Sequence, residues 1–269
     1  MNKLIGELQR LYFLDGQPRP PGLDAADAAL AAPLQLVGPD GMVRTMILEF
    51  RQAGDWELVA RLHQQIEDEL DLPAPAISVS GRHGYRLWLS LAQPVAAARA
   101  TMFLDALRRK YLADLLATHL RLLPDSAAPA FAEQVPALET TTGKWSAFID
   151  PGLGAMFIDE PGLDMAPNLD RQADLLAAYR SISDEDFARA LTILQQPAES
   201  ADDAERPASE PSGEHRHAGR AAERLNLGDN FSDPQTFLLA VINDRSASAK
   251  RRIKAAKALL PYFAKLPPA

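Results

Sequence analysis

The chain has 269 residues, of which 47% are hydrophobic, and a formal net charge of -8 at pH 7. This apolar content predicts a sizeable core in one large domain, or in one domain with an appendage. The absence of cysteine excludes disulfides, thiolate metal sites and a cysteine nucleophile, and it fits a cytoplasmic setting. The sequence has no run of about 18 apolar residues, the length that a membrane helix needs, and the N-terminus lacks a secretory signal pattern.

The first part of the chain alternates helical and strand patterns. The predicted elements are a helix over 2–14, an irregular Pro- and Ala-rich stretch over 15–32, strands over 34–37 and 42–50, and a helix from Asp55 to about Leu70. Gly38-Pro39-Asp40-Gly41 predicts a turn between the two strands. Asp55 is the predicted N-cap of the second helix.

Residues 76–92 predict a hairpin around which the rest is organised. Two runs that alternate apolar and polar residues flank the loop Ser80-Gly81-Arg82-His83-Gly84. The alternation predicts a buried face with Leu87 and a wetter face with Arg86. Ser80, His83 and Arg86 would then lie at one end of the sheet, where they could hold an anion, although a glycine-bounded turn of this kind is also typical of a solvated loop.

The remaining patterns complete an α+β domain over residues 1–196. They predict a helix from Gln93-Pro94 to about Leu116, a strand over 119–123, a loop over 126–136, strands over 144–149 and 155–158, and helices over 168–179 and 183–195. We therefore expect a mixed or antiparallel sheet with flanking helices. Residues 197–224 lack large apolar residues and are predicted to be a disordered linker.

The C-terminal segment 225–269 is predicted to be a basic helical hairpin. From Arg245 onward there are seven basic residues and no acidic one, although the chain as a whole is acidic. This is the expected place for contact with a phosphate backbone or an acidic partner, through Lys250, Arg251, Arg252, Lys254 and Lys257. Residues 233–262 also resemble a segment of phage small terminase subunits, which implies oligomerisation or association with DNA.

Residues 45–94 resemble the archaeo-eukaryotic primase-polymerase superfamily. The resemblance lies in a strand ending Leu48-Glu49-Phe50-Arg51, a following helix, and the turn from Ser80 into the strand that contains Arg86. It implies a primase-polymerase-like fold and a metal ligand at Glu49, with Mg or Mn as the possible cofactor. A third acidic position would be Asp150 or Asp159, and the resemblance does not choose between them.

Two departures from the superfamily pattern imply weakened chemistry. Arg51 stands where the superfamily has a second carboxylate, and Arg86 stands where it has a nucleotide-binding histidine. A cation opposes Mg²⁺ binding, but guanidinium groups bind phosphate well. The implied phosphate-binding residues are Ser80, Arg82, His83, Arg86 and Arg51.

Three functional hypotheses follow from these residues. The first is a DNA-associated protein of a phage or mobile element, built on a degenerate primase-polymerase-like domain, with nucleic acid as its partner and no membrane association. The second is an active DNA primase or polymerase, a metal-dependent nucleotidyltransferase with catalytic residues Glu49 and either Asp150 or Asp159. The third is a packaging or assembly subunit that binds protein, or another copy of itself, through residues 225–269.

Overall fold

The structure is a computed structural model that describes residues 3–17, 33–125, 131–196 and 238–239. The chain divides into two compact units, Met1–Ala201 and Asp202–Ala269. Most of the predicted irregular stretch, the predicted linker and the predicted C-terminal hairpin with its five basic residues lie outside the described residues. Within that hairpin, only Leu238 and Leu239 are described, and both are helical.

The first unit combines helices with short and long strands. Its helices are α1 (Lys3–Tyr12), α2 (Trp56–Asp68), α3 (Ala97–Tyr111), α4 (Leu169–Ala177) and α5 (Asp184–Gln195), with 3-10 helices at Ala53–Asp55 and Pro151–Phe157. Its strands are β1 (Leu34–Gln35), β2 (Met42–Phe50), β3 (Ala76–Val79), β4 (Tyr85–Ala96), β5 (Leu120–Leu123), β6 (Phe131–Ala132) and β7 (Ala147–Ile149). No helix among the described residues is long and apolar enough to cross a membrane.

Five strands form the central sheet in the order β5-β2-β4-β3-β7. Every neighbouring pair in it is antiparallel, and β1 and β6 form a separate two-stranded pair. The predicted α+β class with an antiparallel sheet and flanking helices is therefore confirmed. The hairpin is also confirmed, because β3 and β4 pair directly on either side of residues 80–84.

Both faces of the sheet are covered. On the face that we call the α2 face, Leu48, Phe50 and Leu87 belong to a core that also contains the apolar residues of α2, α3 and α5. On the opposite face, called the α1 face, Ile47 and Trp88 pack with apolar residues of α1 and α4.

The prediction of a wetter hairpin face is wrong. Arg86, Trp88 and Ser90 are only 4%, 3% and 5% exposed. Helix α1 lies over this face: the Tyr12 ring is 5.2 Å from the Trp88 ring, and the Ser90 hydroxyl donates to the Leu11 carbonyl. The amphipathic helix α1 must bury its apolar residues against an apolar surface, and the sheet provides that surface around Trp88.

Two predicted element boundaries are wrong near prolines. Strand β4 continues to Ala96, so Pro94 lies in a strand and not in the first turn of a helix. The pairing with β2 is irregular there: Ser90 pairs with Thr45, whereas Val95 pairs with Val43. An irregular ladder tolerates a residue that has no N–H to donate. Helix α3 accordingly begins at Ala97 and ends at Tyr111.

Other differences have local causes. Residues 155–158 belong largely to the 3-10 helix Pro151–Phe157, because the Asp150 side chain accepts a hydrogen bond from Gly152 N and Pro151 suits a first helical turn. In the predicted loop over 126–136, Phe131 pairs with Gln35. Asp55 precedes α2 as predicted, but its side chain makes no capping hydrogen bond.

Candidate functional site: a charged row at the hairpin end of the sheet

A row of polar side chains crosses four strands on the α1 face. Strand register places Arg121 of β5 opposite Glu49 of β2, Glu49 opposite Arg86 of β4, and Arg86 opposite Ser78 of β3. Directly opposed residues in an antiparallel pair project to the same face. The register therefore brings one carboxylate between two guanidinium groups.

The centre of this row is buried and ion-paired. Glu49 is 8% exposed and Arg86 is 4% exposed. Arg86 Nη2 donates to Glu49 Oε1 at 3.1 Å and also to the exposed carboxylate of Glu133. Arg121 Nη1 lies 3.7 Å from Glu49 Oε2. Both oxygens of Glu49 thus face cations, and Arg86 is held by two carboxylates.

The hairpin loop is fixed by its own hydrogen bonds. The Ser80 hydroxyl oxygen accepts from the backbone N–H groups of Arg82, His83 and Gly84 at 3.2, 2.8 and 3.0 Å. Gly81 has φ of +77°, a conformation that favours glycine, and its N–H donates to Pro161 O at 2.7 Å. Ser80 therefore holds the loop in shape.

The loop presents a guanidinium group and an imidazole. Arg82 is exposed and His83 is half-buried. Hydrogen bonds from Thr141 are the main cause that lowers the pKa of Glu139, and the nearby charges of Arg82 and His83 lower this pKa further. The two side chains consequently lie close to a carboxylate, while the exposed guanidinium of Arg82 remains accessible to a larger anion.

Glu49 and the hairpin loop lie at the same end of the sheet. Phe50 pairs with Tyr85, the first residue of β4. A Cβ on Gly84 would come within 2.5 Å of the Phe50 carbonyl oxygen, which shows how closely the loop approaches the end of β2. The acidic end of β2 and the glycine-flanked turn therefore converge at one end of the sheet.

The two later acidic candidates lie elsewhere. Ile149, the last residue of β7, pairs with Ile77, so the chain at Asp150 has run away from the hairpin loop. Strand β7 is three strands from β2 in the sheet, a separation of roughly 14 Å at about 4.8 Å per strand. Asp159 is exposed in the segment that leads to Pro161, the hydrogen-bond partner of Gly81. The structure brings neither carboxylate into contact with Glu49.

Residues missed by the sequence reasoning lie beside Arg51. The N–H of Arg51 donates to the carbonyl of His119 at 2.8 Å, which places His119 opposite Arg51 just beyond the paired residues Phe50 and Leu120. Arg121 follows two residues later, in β5. Strand β5 was predicted, but the pairing of β5 with β2 could not be read from the sequence, because β5 follows β4 and not β2 in chain order.

The metal-binding capacity of this site is limited by its donors. Among the described residues, no group of three or more His, Cys, Asp or Glu side chains is arranged to hold a metal ion. At the predicted metal ligand, Glu49, two arginines already occupy the positions from which a cation would approach. Guanidinium groups repel a divalent cation and attract phosphate.

Comparison with solved structures finds distant structural similarities. The chain is similar to the polymerase domain from Mycobacterium tuberculosis Ligase D in complex with DNA, with 19% identity and a TM-score of 0.32. The match covers 52% of this chain and 52% of that chain, so it spans about half the length of each. No protein-family model and no curated protein matches the chain.

Proposed function

We propose that residues 1–196 form a nucleic-acid-binding domain of primase-polymerase-like architecture in which nucleotidyl transfer is lost or weak. The observation that carries the proposal is the arrangement of Glu49 between Arg86 and Arg121 at the hairpin end of the sheet. Two-metal phosphoryl transfer needs carboxylates that are free to bind cations. The oxygens of Glu49 already face two guanidinium groups, so this arrangement favours nucleic-acid binding over nucleotidyl transfer.

The cations at this end of the sheet suit a phosphate backbone. Arg51 and Arg82 are exposed, and His83 is half-buried beside Arg82. Arginine binds phosphate through paired N–H donors, and each phosphate contact adds a salt-dependent contribution to affinity. In this proposal Ser80 shapes the loop, and Arg86 would reach phosphate only by releasing the carboxylate of Glu133.

The C-terminal segment extends the proposal. Its five predicted DNA-binding residues, Lys250, Arg251, Arg252, Lys254 and Lys257, would add backbone contacts that carry no sequence preference. The phage or mobile-element setting rests on the terminase-like resemblance of this segment and remains a prediction. DNA is the proposed ligand, and any bound Mg or Mn would be held through Glu49.

The test is a titration of fluorescein-labelled single- and double-stranded DNA, followed by fluorescence anisotropy at several salt concentrations. We expect Arg82→Ala to weaken binding about 5-fold or more and to lower the slope of log affinity against log salt by close to 1. Arg61→Ala is the matched control, because Arg61 is an exposed arginine on α2, which packs on the other face of the sheet. Equal effects of the two substitutions would contradict the proposal.

The two other hypotheses are separable outcomes of related assays. Primer synthesis with Mg²⁺ or Mn²⁺ that disappears in Glu49→Ala would establish an active enzyme. Mass measurement in solution with and without residues 225–269 tests the assembly role: a large oligomer that needs this segment, combined with no DNA binding, would favour a packaging or assembly subunit.

A further inference from the structure

The edge of the sheet beside β2 carries a cluster of nitrogen donors that the sequence motifs do not include. Arg51 and His119 face each other across the end of the β2–β5 pair, and Arg121 lies two residues along β5 from His119. Arg121 pairs with Glu49 on the α1 face, Arg51 lies two residues beyond Glu49, and His119 is the turn residue immediately before β5. This cluster, Arg51–His119–Arg121, lies next to Glu49.

We propose that Arg51, His119 and Arg121 bind a phosphate group together, so that the phosphate-binding surface of the domain extends from the hairpin loop across β2 to the edge strand β5. The inference rests on the proposed function and names residues of the same surface that were not expected from the sequence. The ligand class is an oligophosphate or the backbone of a nucleic acid.

Strand geometry sets suitable spacings for one phosphate group. Directly opposed side chains such as Arg51 and His119 have Cβ atoms about 4.5–5.5 Å apart, and diagonal neighbours such as Arg51 and Arg121 are separated by about 7–8 Å. The long arginine side chains can close this diagonal distance onto a common anion. Arg51 is exposed and the Arg121 side chain is 44% exposed, so an anion can reach both.

The charges around the cluster favour an added anion. Groups of like charge repel one another across a strand pair, so an anion held between the guanidinium groups of Arg51 and Arg121 would offset their repulsion. The carboxylates that face the cluster are Glu49, which is shared with Arg86, and Asp55, whose charge is felt at His119. Arg121 lies 3.7 Å from Glu49, longer than a hydrogen bond, so its N–H donors remain available to a ligand.

The probe is inorganic triphosphate, which presents phosphate groups without bases or sugar. Its binding is measured by isothermal titration calorimetry and by amide chemical shifts of isotope-labelled full-length protein. We expect Arg51→Ala and Arg121→Ala each to weaken triphosphate binding at least 5-fold, with a smaller loss in His119→Ala. Arg61→Ala should change the affinity less than 2-fold.

Arg121→Lys separates ligand binding from a structural role of Arg121. Lysine keeps the charge near Glu49 but lacks the planar fork of donors. We expect this variant to keep the wild-type melting temperature while losing at least 3-fold in affinity. Wild-type affinity in both Arg121→Lys and Arg121→Ala would overturn the inference, as would ligand-induced shifts confined to residues 80–84.

The inference and the proposed function fail in different ways. If wild-type protein binds DNA with loss in Arg82→Ala but not in Arg121→Ala, the extension to β5 is wrong and the proposed function stands. If the protein binds triphosphate through Arg51 and Arg121 but no DNA, the phosphate site stands and the nucleic-acid function is wrong.

Discussion

Removing the carboxylate of Glu49 should destabilise the domain because a buried guanidinium loses one of its two carboxylate partners. Arg86 is 4% exposed, its Nη1 already has no hydrogen-bond partner, and its Nη2 bonds Glu49 and Glu133. Deleting one member of a buried ion pair costs about 3–5 kcal/mol. Since Glu133 remains as a second partner, we expect Glu49→Ala to lie at the lower end of that range, at about 3 kcal/mol.

The assay is urea and thermal unfolding, followed by the fluorescence of the buried Trp56 and Trp88 and by far-ultraviolet circular dichroism. For a domain of this size, about 3 kcal/mol corresponds to a fall in Tm of about 6–12 °C. The control is Asp174→Ala, which removes an exposed carboxylate on α4 and should change stability by less than about 0.5 kcal/mol.

A double substitution distinguishes a lost partner from a lost packing contact. Replacing Glu49 and Arg86 together by leucine removes both charges, and such replacements of buried pairs are often close to neutral. We therefore expect the double variant to be more stable than Glu49→Ala. If Glu49→Ala leaves the free energy of unfolding unchanged or raises it, Glu49 does not compensate the buried charge of Arg86. The inference that Glu49 is held in an ion pair would then be wrong.

Four further predictions concern the hairpin, the 3-10 helix beside Trp56 and the C-terminal segment. Ser80→Ala leaves three backbone N–H groups without their acceptor, so we expect a loss of about 1–3 kcal/mol in thermal unfolding and weaker DNA binding. Gly154→Ala places a Cβ within 1.9 Å of the Trp56 ring, so we expect a loss of about 1–3 kcal/mol or more, with altered tryptophan fluorescence. Burial raises the pKa of Tyr85 from 10.0 to about 12. Its neutral form therefore stabilises the fold below pH 10, and this contribution is lost as the pH rises towards 12. We expect Tyr85→Phe to lose less stability at alkaline pH than the wild-type protein in a pH series of unfolding curves. Deletion of residues 225–269 should weaken DNA binding and flatten its salt dependence in anisotropy titrations, and unchanged binding would remove this segment from the account.

The sequence predicted local structure well where the local pattern decides it. The helices α1 and α2 and the helix starts at residues 168 and 183 were predicted and are present, and the side chains of Asn168 and Ser183 accept backbone hydrogen bonds there. These features depend on neighbours within a few residues, so the sequence contains the needed information.

The parts that depend on distant contacts were not predictable from pattern alone. The α1 face is covered by α1 at Trp88 and Ser90, and Arg86 is paired with Glu133; both partners are remote in sequence. The cluster with His119 and Arg121 depends on β5 pairing with β2 across the whole of β3, β4 and α3. The expected extra carboxylate shows the same limit, because strand order places Asp150 three strands away from Glu49.

The central claim is that this end of the sheet binds nucleic-acid phosphate while its single buried carboxylate does not support catalysis. The most direct test measures both properties on one sample of full-length protein, with DNA anisotropy titrations and a primer-synthesis assay in Mg²⁺ and in Mn²⁺. We predict binding that weakens steeply with salt and depends on Arg82, together with no product in either metal. Product that requires Glu49, or DNA binding that ignores Arg82, would contradict this account.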